Sequence, residues 1–241
     1  MKTKHIVLCC FFLSVIISGF SNVSFSQDSL KTETIIPDPN DARLFLAPTA
    51  RPIRKNVLLI SDVELFFPMI GYGIENFGSI VGGVSIFPNA ENQLIYVNAK
   101  ITPYRFKYGD IAVGLIYFDW TQKNAYNLIV GYAGATLGTQ SASFSGGFGY
   151  AFDKYKKTAG LIVLGGEVRL AKDLKAITEN WIYTKAYFFP MSFLGLRFFG
   201  PAVALDAGAL FFWGKQSSEW KMPVLPYGSL TFNFDLFNSK K

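Results

Sequence analysis

Eight charged residues mark where this chain could do chemistry: Asp62, Glu64, Lys100, Glu167, Arg169, Arg197, Asp206 and Asp235. Asp62 and Glu64 stand two residues apart, so an extended chain points both carboxylates to one side. Carboxylates that close hinder each other's ionisation or hold a cation between them. Glu167 and Arg169 repeat the spacing with opposite signs, which suits an ion pair within a larger network. Mixed signs at close range compensate one another and fix structure, whereas a ring of one sign would select ions.

Other chemistry leaves with the N-terminus. His5 is the one histidine, and Cys9 and Cys10 are the two cysteines. All three lie in residues 1–26, where Lys2 and Lys4 precede an apolar run from Ile6 to Ile17 and a polar end, SNVSFSQ. This is a cleavable export signal, with Ser24 and Ser26 suited to cutting before Gln27. Neither cysteine follows a small residue, which argues against a lipoprotein signal. A chain without Cys or His has no disulfide, no thiolate or imidazole metal site, and no Ser-His or Asp-His catalytic pair. The sequence therefore assigns no catalytic residue, no metal and no cofactor. Losing Lys2 and Lys4 also trims the formal net charge of +6. No Lys/Arg cluster remains to track a phosphate backbone, so nucleic acid is not a partner.

The elements that must carry the eight charges are strands. Half of the residues are hydrophobic and 17% are aromatic, yet no segment after residue 26 supplies the roughly 20 consecutive apolar residues of a spanning helix. The apolar residues alternate instead. In SASFSGGFGYAF, residues 141–152, one parity holds Ser, Gly and Ala and the other is dominated by Phe and Tyr, the period of a strand with one greasy face. The glycine-rich stretches are not phosphate-cradling loops: Gly82 and Gly83 lack a following Lys-Ser/Thr, and no helix pattern follows. Breakers divide the chain into strands over 43–48, 56–74, 77–87, 92–105, 110–119, 125–137, 140–152, 158–170, 175–184, 188–199, 202–213 and 223–236. The count is twelve. Ten is the second choice, because 43–48 is short and Pro190 could break another strand.

Tight connections at 75–76, 107–109, 138–139, 171–174 and 200–201 alternate with longer ones at 88–91, 120–124, 153–157, 185–187 and 214–222. Bacterial outer-membrane barrels show this alternation of short periplasmic turns and longer external loops. The predicted fold is all-β, a transmembrane antiparallel up-and-down β-barrel over 43–237. Residues 27–42, polar and carrying Pro37 and Pro39, are expected to form a flexible periplasmic lead-in, and 238–241 a tail. Parity assigns the faces: Leu230, Phe232, Phe234 and Leu236 to lipid, Ser229, Thr231, Asn233 and Asp235 to the lumen. A Lys or Arg facing lipid costs about 2–4 kcal/mol near the midplane, which places all eight charges inside. Aromatics gather at strand ends, as at Phe66-Phe67, Phe118 with Trp120, and Phe198-Phe199, where rings suit the headgroup zone.

The segments RLFLAPTA, ELFFPMIGYGIENFGSIVGG, GGEVRLAKDLKAITEN and GLRFFG resemble those of small outer-membrane β-barrel proteins of Bacteroidetes and related bacteria, many of them uncharacterised. The resemblance implies fold and location and transfers no catalytic or binding residue. It implies outer-membrane lipid and, during biogenesis, the barrel-assembly machinery as partners. Twelve strands lie between barrels filled by side chains and those holding a water channel. The expected function is that of a non-enzymatic structural barrel or narrow passive pore with a charge-networked lumen. The alternative is a carboxylate-based outer-membrane enzyme or a binder of a lipid-like ligand.

Overall fold

The computed structural model describes residues 36–88, 90–121, 127–153, 159–184, 190–212 and 224–236. The expected export signal and the tail at 238–241 lie outside the described residues. The strands are β1 (Val57–Val63), β2 (Phe67–Ile74), β3 (Gly78–Val84), β4 (Leu94–Phe106), β5 (Gly109–Trp120) and β6 (Leu128–Gly138), followed by β7 (Ala142–Asp153), β8 (Ala159–Ala171), β9 (Leu174–Tyr183), β10 (Met191–Phe199), β11 (Val203–Phe212) and β12 (Val224–Asp235). Each pairs antiparallel with the next, and β12 returns to β1 with Ser61 opposite Thr231. The result is a closed twelve-strand barrel, in which no strand edge is left unpaired.

Alternation turns this barrel inside out relative to a water-soluble one. Phe144, Phe148 and Phe152 stand exposed on the outer face of β7, while Ser143 and Ser145 are buried on its inner face. Partners directly across the sheet share a face, so Phe148 lies beside Ile162 of β8, itself exposed. Ile60, Ile70, Leu115, Leu194 and Phe232 continue the apolar exterior. Short turns gather at one end of the barrel, such as Lys107-Tyr108 between β4 and β5 and Lys172-Asp173 between β8 and β9. The longer connections occupy the opposite, loop end.

Two expectations about strands need correction. The segment 56–74 is a hairpin, β1 and β2, that reverses at Glu64, Leu65 and Phe66. Glu64 and Leu65 adopt φ of 57° and 62°, a conformation usually signalled by Gly or Asn, so the turn carries no turn chemistry in sequence. Residues 43–48 form no wall strand. They make a tight loop closed by an Arg43–Pro48 bridge and by Leu44 N–H donating to the Ala47 carbonyl. One strand lost and one gained leave the total at twelve.

A third correction concerns the lead-in. Residues 36–42 do not hang free: with 43–54 they enter the lumen at the short-turn end, rise to a tip at 44–47, and return to start β1. Two wall glycines make room for this segment. A Cβ at Gly73 would run into the Arg54 carbonyl, and one at Gly165 into the Leu44 side chain. The outer face can be tested at its centre. Phe148→Arg should sharply lower the fraction of folded barrel formed in lipid vesicles, at about 2–4 kcal/mol, while Phe148→Leu should fold almost as wild type. Heated and unheated gel mobility reads this, and equal yields would show that the face does not meet lipid.

Candidate functional site

The inner wall and residues 36–54 form one polar construction. Its spine is a chain of ion pairs alternating in sign. Asp206 of β11 accepts from Arg197 of β10 at 2.6 Å, and Arg197 reaches Asp38 at 3.2 Å. Asp38 accepts from Lys175 of β9 at 2.9 Å, Lys175 lies 3.1 Å from Glu167 of β8, and Glu167 accepts from Arg51 at 2.7 Å. The wall contributes Asp206, Arg197, Lys175 and Glu167, and the inserted segment contributes Asp38 and Arg51. All six are buried. Desolvating such ions costs several kcal/mol each, and the opposite charges and hydrogen bonds of this chain offset that cost.

Backbone groups of the segment, which would otherwise be stranded in a closed lumen, are met by wall side chains. Lys100 Nζ donates to the carbonyls of Ala42, Thr49 and Arg51. Arg197 donates to those of Asn40, Arg43 and Leu44. At the tip, Glu179 Oε2 accepts the N–H groups of Phe45, Leu46 and Ala47 at 2.8, 3.0 and 3.2 Å, and Trp181 Nε1 donates to Oε1. Tyr227 donates to the Phe45 carbonyl. Around these bonds Leu44 and Phe45 pack on Val63, Ile177, Phe193 and Tyr227, with the Phe45 ring stacked 5.8 Å from Phe193.

Of the eight predicted positions, Lys100, Glu167, Arg197 and Asp206 lie on the inner wall and touch the segment or its partners. Arg169 faces inward nearer the short turns, donating to the carbonyls of Lys172 and Ile36. Asp235 has inner parity opposite Val57 but sits exposed at the end of β12. Asp62 and Glu64 do not share an inner face, and that expectation is corrected. Asp62 stands on the outer face beside Leu230 and Pro68 near the loop end, accepting from Phe67 N–H at 3.3 Å. Glu64 lies in the reversal, where its carboxylate accepts from Gly228 N–H. The inner set of β1 is Val57, Leu59, Ser61 and Val63, in which the three apolar residues meet Ile53 and the tip and Ser61 meets Arg43.

Sequence reasoning passed over Lys175 and Glu179, although LKAITENWIY puts both on one parity with Ile177, and it passed over Asp38, Arg43 and Arg51. Arg43 donates to Ser61, Ser229 and Thr231 across the β1–β12 seam. Burial raises the Asp38 carboxyl, but Arg197 and Lys175 outweigh burial and hold it near 2. Asp41, hydrogen-bonded by Gln140, borders a cleft of about 340 Å3 at the short-turn end with Arg51, Arg54, Arg105 and Asp110. Burial first, then the neighbouring Asp38 carboxylate, push Asp41 up to about 6.

No family model and no curated protein matches this chain. Among solved structures, it is similar in fold to a KdgM porin in complex with disordered oligogalacturonate, with 10% identity, a TM-score of 0.57, and coverage of 74% of this chain and 98% of that one. A second KdgM porin structure gives a TM-score of 0.56 at the same identity and coverage. At 10% identity the likeness is one of fold, a closed twelve-strand barrel.

Arg197→Ala leaves Asp206 without its ion-pair partner and Asp38 with Lys175 alone. It should destabilise the barrel by about 3–5 kcal/mol, whereas Arg105→Ala, which breaks a half-exposed pair with Asp110, should cost no more than about 1 kcal/mol. The denaturant needed to abolish the folded gel band measures both. A second expectation follows from Asp41. Its carboxyl ionises near 3.8 when unfolded and near 6 when folded, so its contribution falls as pH rises between those values and is level above them. Asp41→Asn should remove that downward slope; an unchanged pH profile would show that Asp41 is not held protonated.

Proposed function

We propose that this protein is an integral outer-membrane β-barrel shut by its own N-terminal segment, standing in the membrane as a closed structural barrel rather than an open pore. One observation carries the reading: residues 36–54 occupy the short-turn half of the lumen and are held there by the buried ion-pair chain and by wall side chains that bind their backbone. The apolar exterior supports a lipid surround, and the likeness in fold to KdgM porin supports an outer-membrane setting and a non-enzymatic role. In this reading the short turns lie in the periplasm, the segment enters from there, and the barrel-assembly machinery inserts the chain. The eight predicted charges then divide. Lys100, Glu167, Arg197 and Asp206 close the lumen, and Arg169 and Asp235 lie toward its periplasmic mouth.

The complex of one KdgM porin with oligogalacturonate does not transfer simply, because in this reading such a solute has no passage here while the segment is in place. Planar-bilayer recording tests the proposal. Wild type should show no steady conductance, and a chain lacking residues up to 54 should show discrete openings. Steady conductance of wild type would overturn the closed reading.

A further inference from the structure

The segment fills the lumen unevenly. Its tip packs against β1, β9, β10 and β12 and leaves space on the side facing β5 to β8. There a cavity of about 110 Å3 runs between the tip residues Leu44, Ala47 and Pro48 and the wall residues Ile116, Phe118, Val130, Leu161, Val163 and Trp181. These wall residues are all inward, since Ile116 pairs with Val130 and Val163 with Trp181. The interior of a water-filled barrel is polar. Here the short-turn half of the lumen, occupied by the segment, is the more polar, and the half toward the loops is mainly aliphatic and aromatic, with Asn98 capped by the Tyr132 hydroxyl and Thr49 and Ser145 at the edge of the cup. At the tip Leu44, Ala47 and Pro48 line this cup, so its floor is mostly apolar. Apolar cavities of this kind stay dry and take up apolar molecules.

We propose that the cup is a binding site for a single alkyl chain, such as that of a fatty acid or a membrane lipid, entering from the loop end. The shape selects the occupant. From Ala112 to Phe118 the lining follows β5 over six residue steps, roughly 20 Å at about 3.3 Å per residue. A volume of about 110 Å3 has room for only a few methylene groups, so the cup takes the methyl end of a chain whose remainder extends toward the loop end, and it is too small for fused rings. The lining also lacks a charge to hold an ion: Glu179, the carboxylate nearest the tip, is already engaged by three N–H groups and Trp181. This inference rests on the closed-barrel reading, because the inserted segment supplies one wall of the cup.

Photolabelling tests it on the full mature chain in detergent-free lipid nanodiscs. Two probes are used separately, free palmitate carrying a diazirine on its chain and phosphatidylcholine carrying the same group. Strand parity makes the outcome readable. Crosslinks on inward Val130, Leu161 and Val163 report the cup, and crosslinks on outward Ile129 and Ile162 report bulk lipid. Inner-face labelling by palmitate, by the phospholipid or by both supports the site and identifies its source. Labelling should fall about tenfold, the effect of about 1.4 kcal/mol, in Val163→Trp, which fills the cup, and it should persist in Val163→Leu. Labels confined to outward residues with both probes, or unchanged inner labelling in a folded Val163→Trp barrel, would overturn the proposal. If wild type conducts, the closed reading fails; if it is silent but the cup is unlabelled, this inference fails alone.

Discussion

Buried charge governs this molecule. A twelve-strand wall that places Lys100, Glu167, Lys175, Glu179, Arg197 and Asp206 on its inner face, each with relative exposure no greater than 5%, would be intolerable in a dry lumen without partners. The inserted segment supplies them, as carboxylate, guanidinium and backbone groups. Neither part makes sense alone. The segment has few regular hydrogen bonds of its own, and without it Lys175 and Arg197 would lose Asp38 and Glu167 would lose Arg51. Together they form a polar interior that holds shape as a core does, by mutual satisfaction.

Each end of the lumen uses a different interaction. Toward the short turns, ion pairs and Lys100 hold the segment where it enters and leaves. Toward the tip, the Glu179 clasp fixes three consecutive N–H groups while Leu44 and Phe45 bury their side chains against Phe193, Tyr227 and Val63. Polar bonds set the register of the segment, and apolar packing sets its height. Moving it out would break the ion-pair chain and the clasp at once.

The fold likeness to KdgM porin at 10% identity follows from the same physics. A period-two pattern with an apolar outer parity is enough to specify a closed barrel, so many sequences reach it. Here inner positions that could line a water path instead grip a segment of the chain or, toward the loops, present aliphatic and aromatic surface.

What the sequence determined by itself was local. Alternation along residues 141–152, and along the last strand, set the outward faces of β7 and β12, and the breakers placed ten of the strands within a few residues of where they lie. Lys100, Glu167, Arg197 and Asp206 could be turned inward from parity alone. Only the tertiary structure decided the rest. The apolar run RLFLAP matches a strand in character, and nothing local distinguishes a segment that joins the wall from one that the wall encloses. The same ambiguity misplaced Asp62: β1 is mainly apolar on both parities, and its inner apolar residues meet Ile53 and the tip rather than water. Arg197 finds Leu44 across 153 residues of sequence and Glu179 finds Phe45 across 134. Such pairings depend on barrel closure, which brings distant strands around a common lumen, and a two-residue period carries no information about what will fill it.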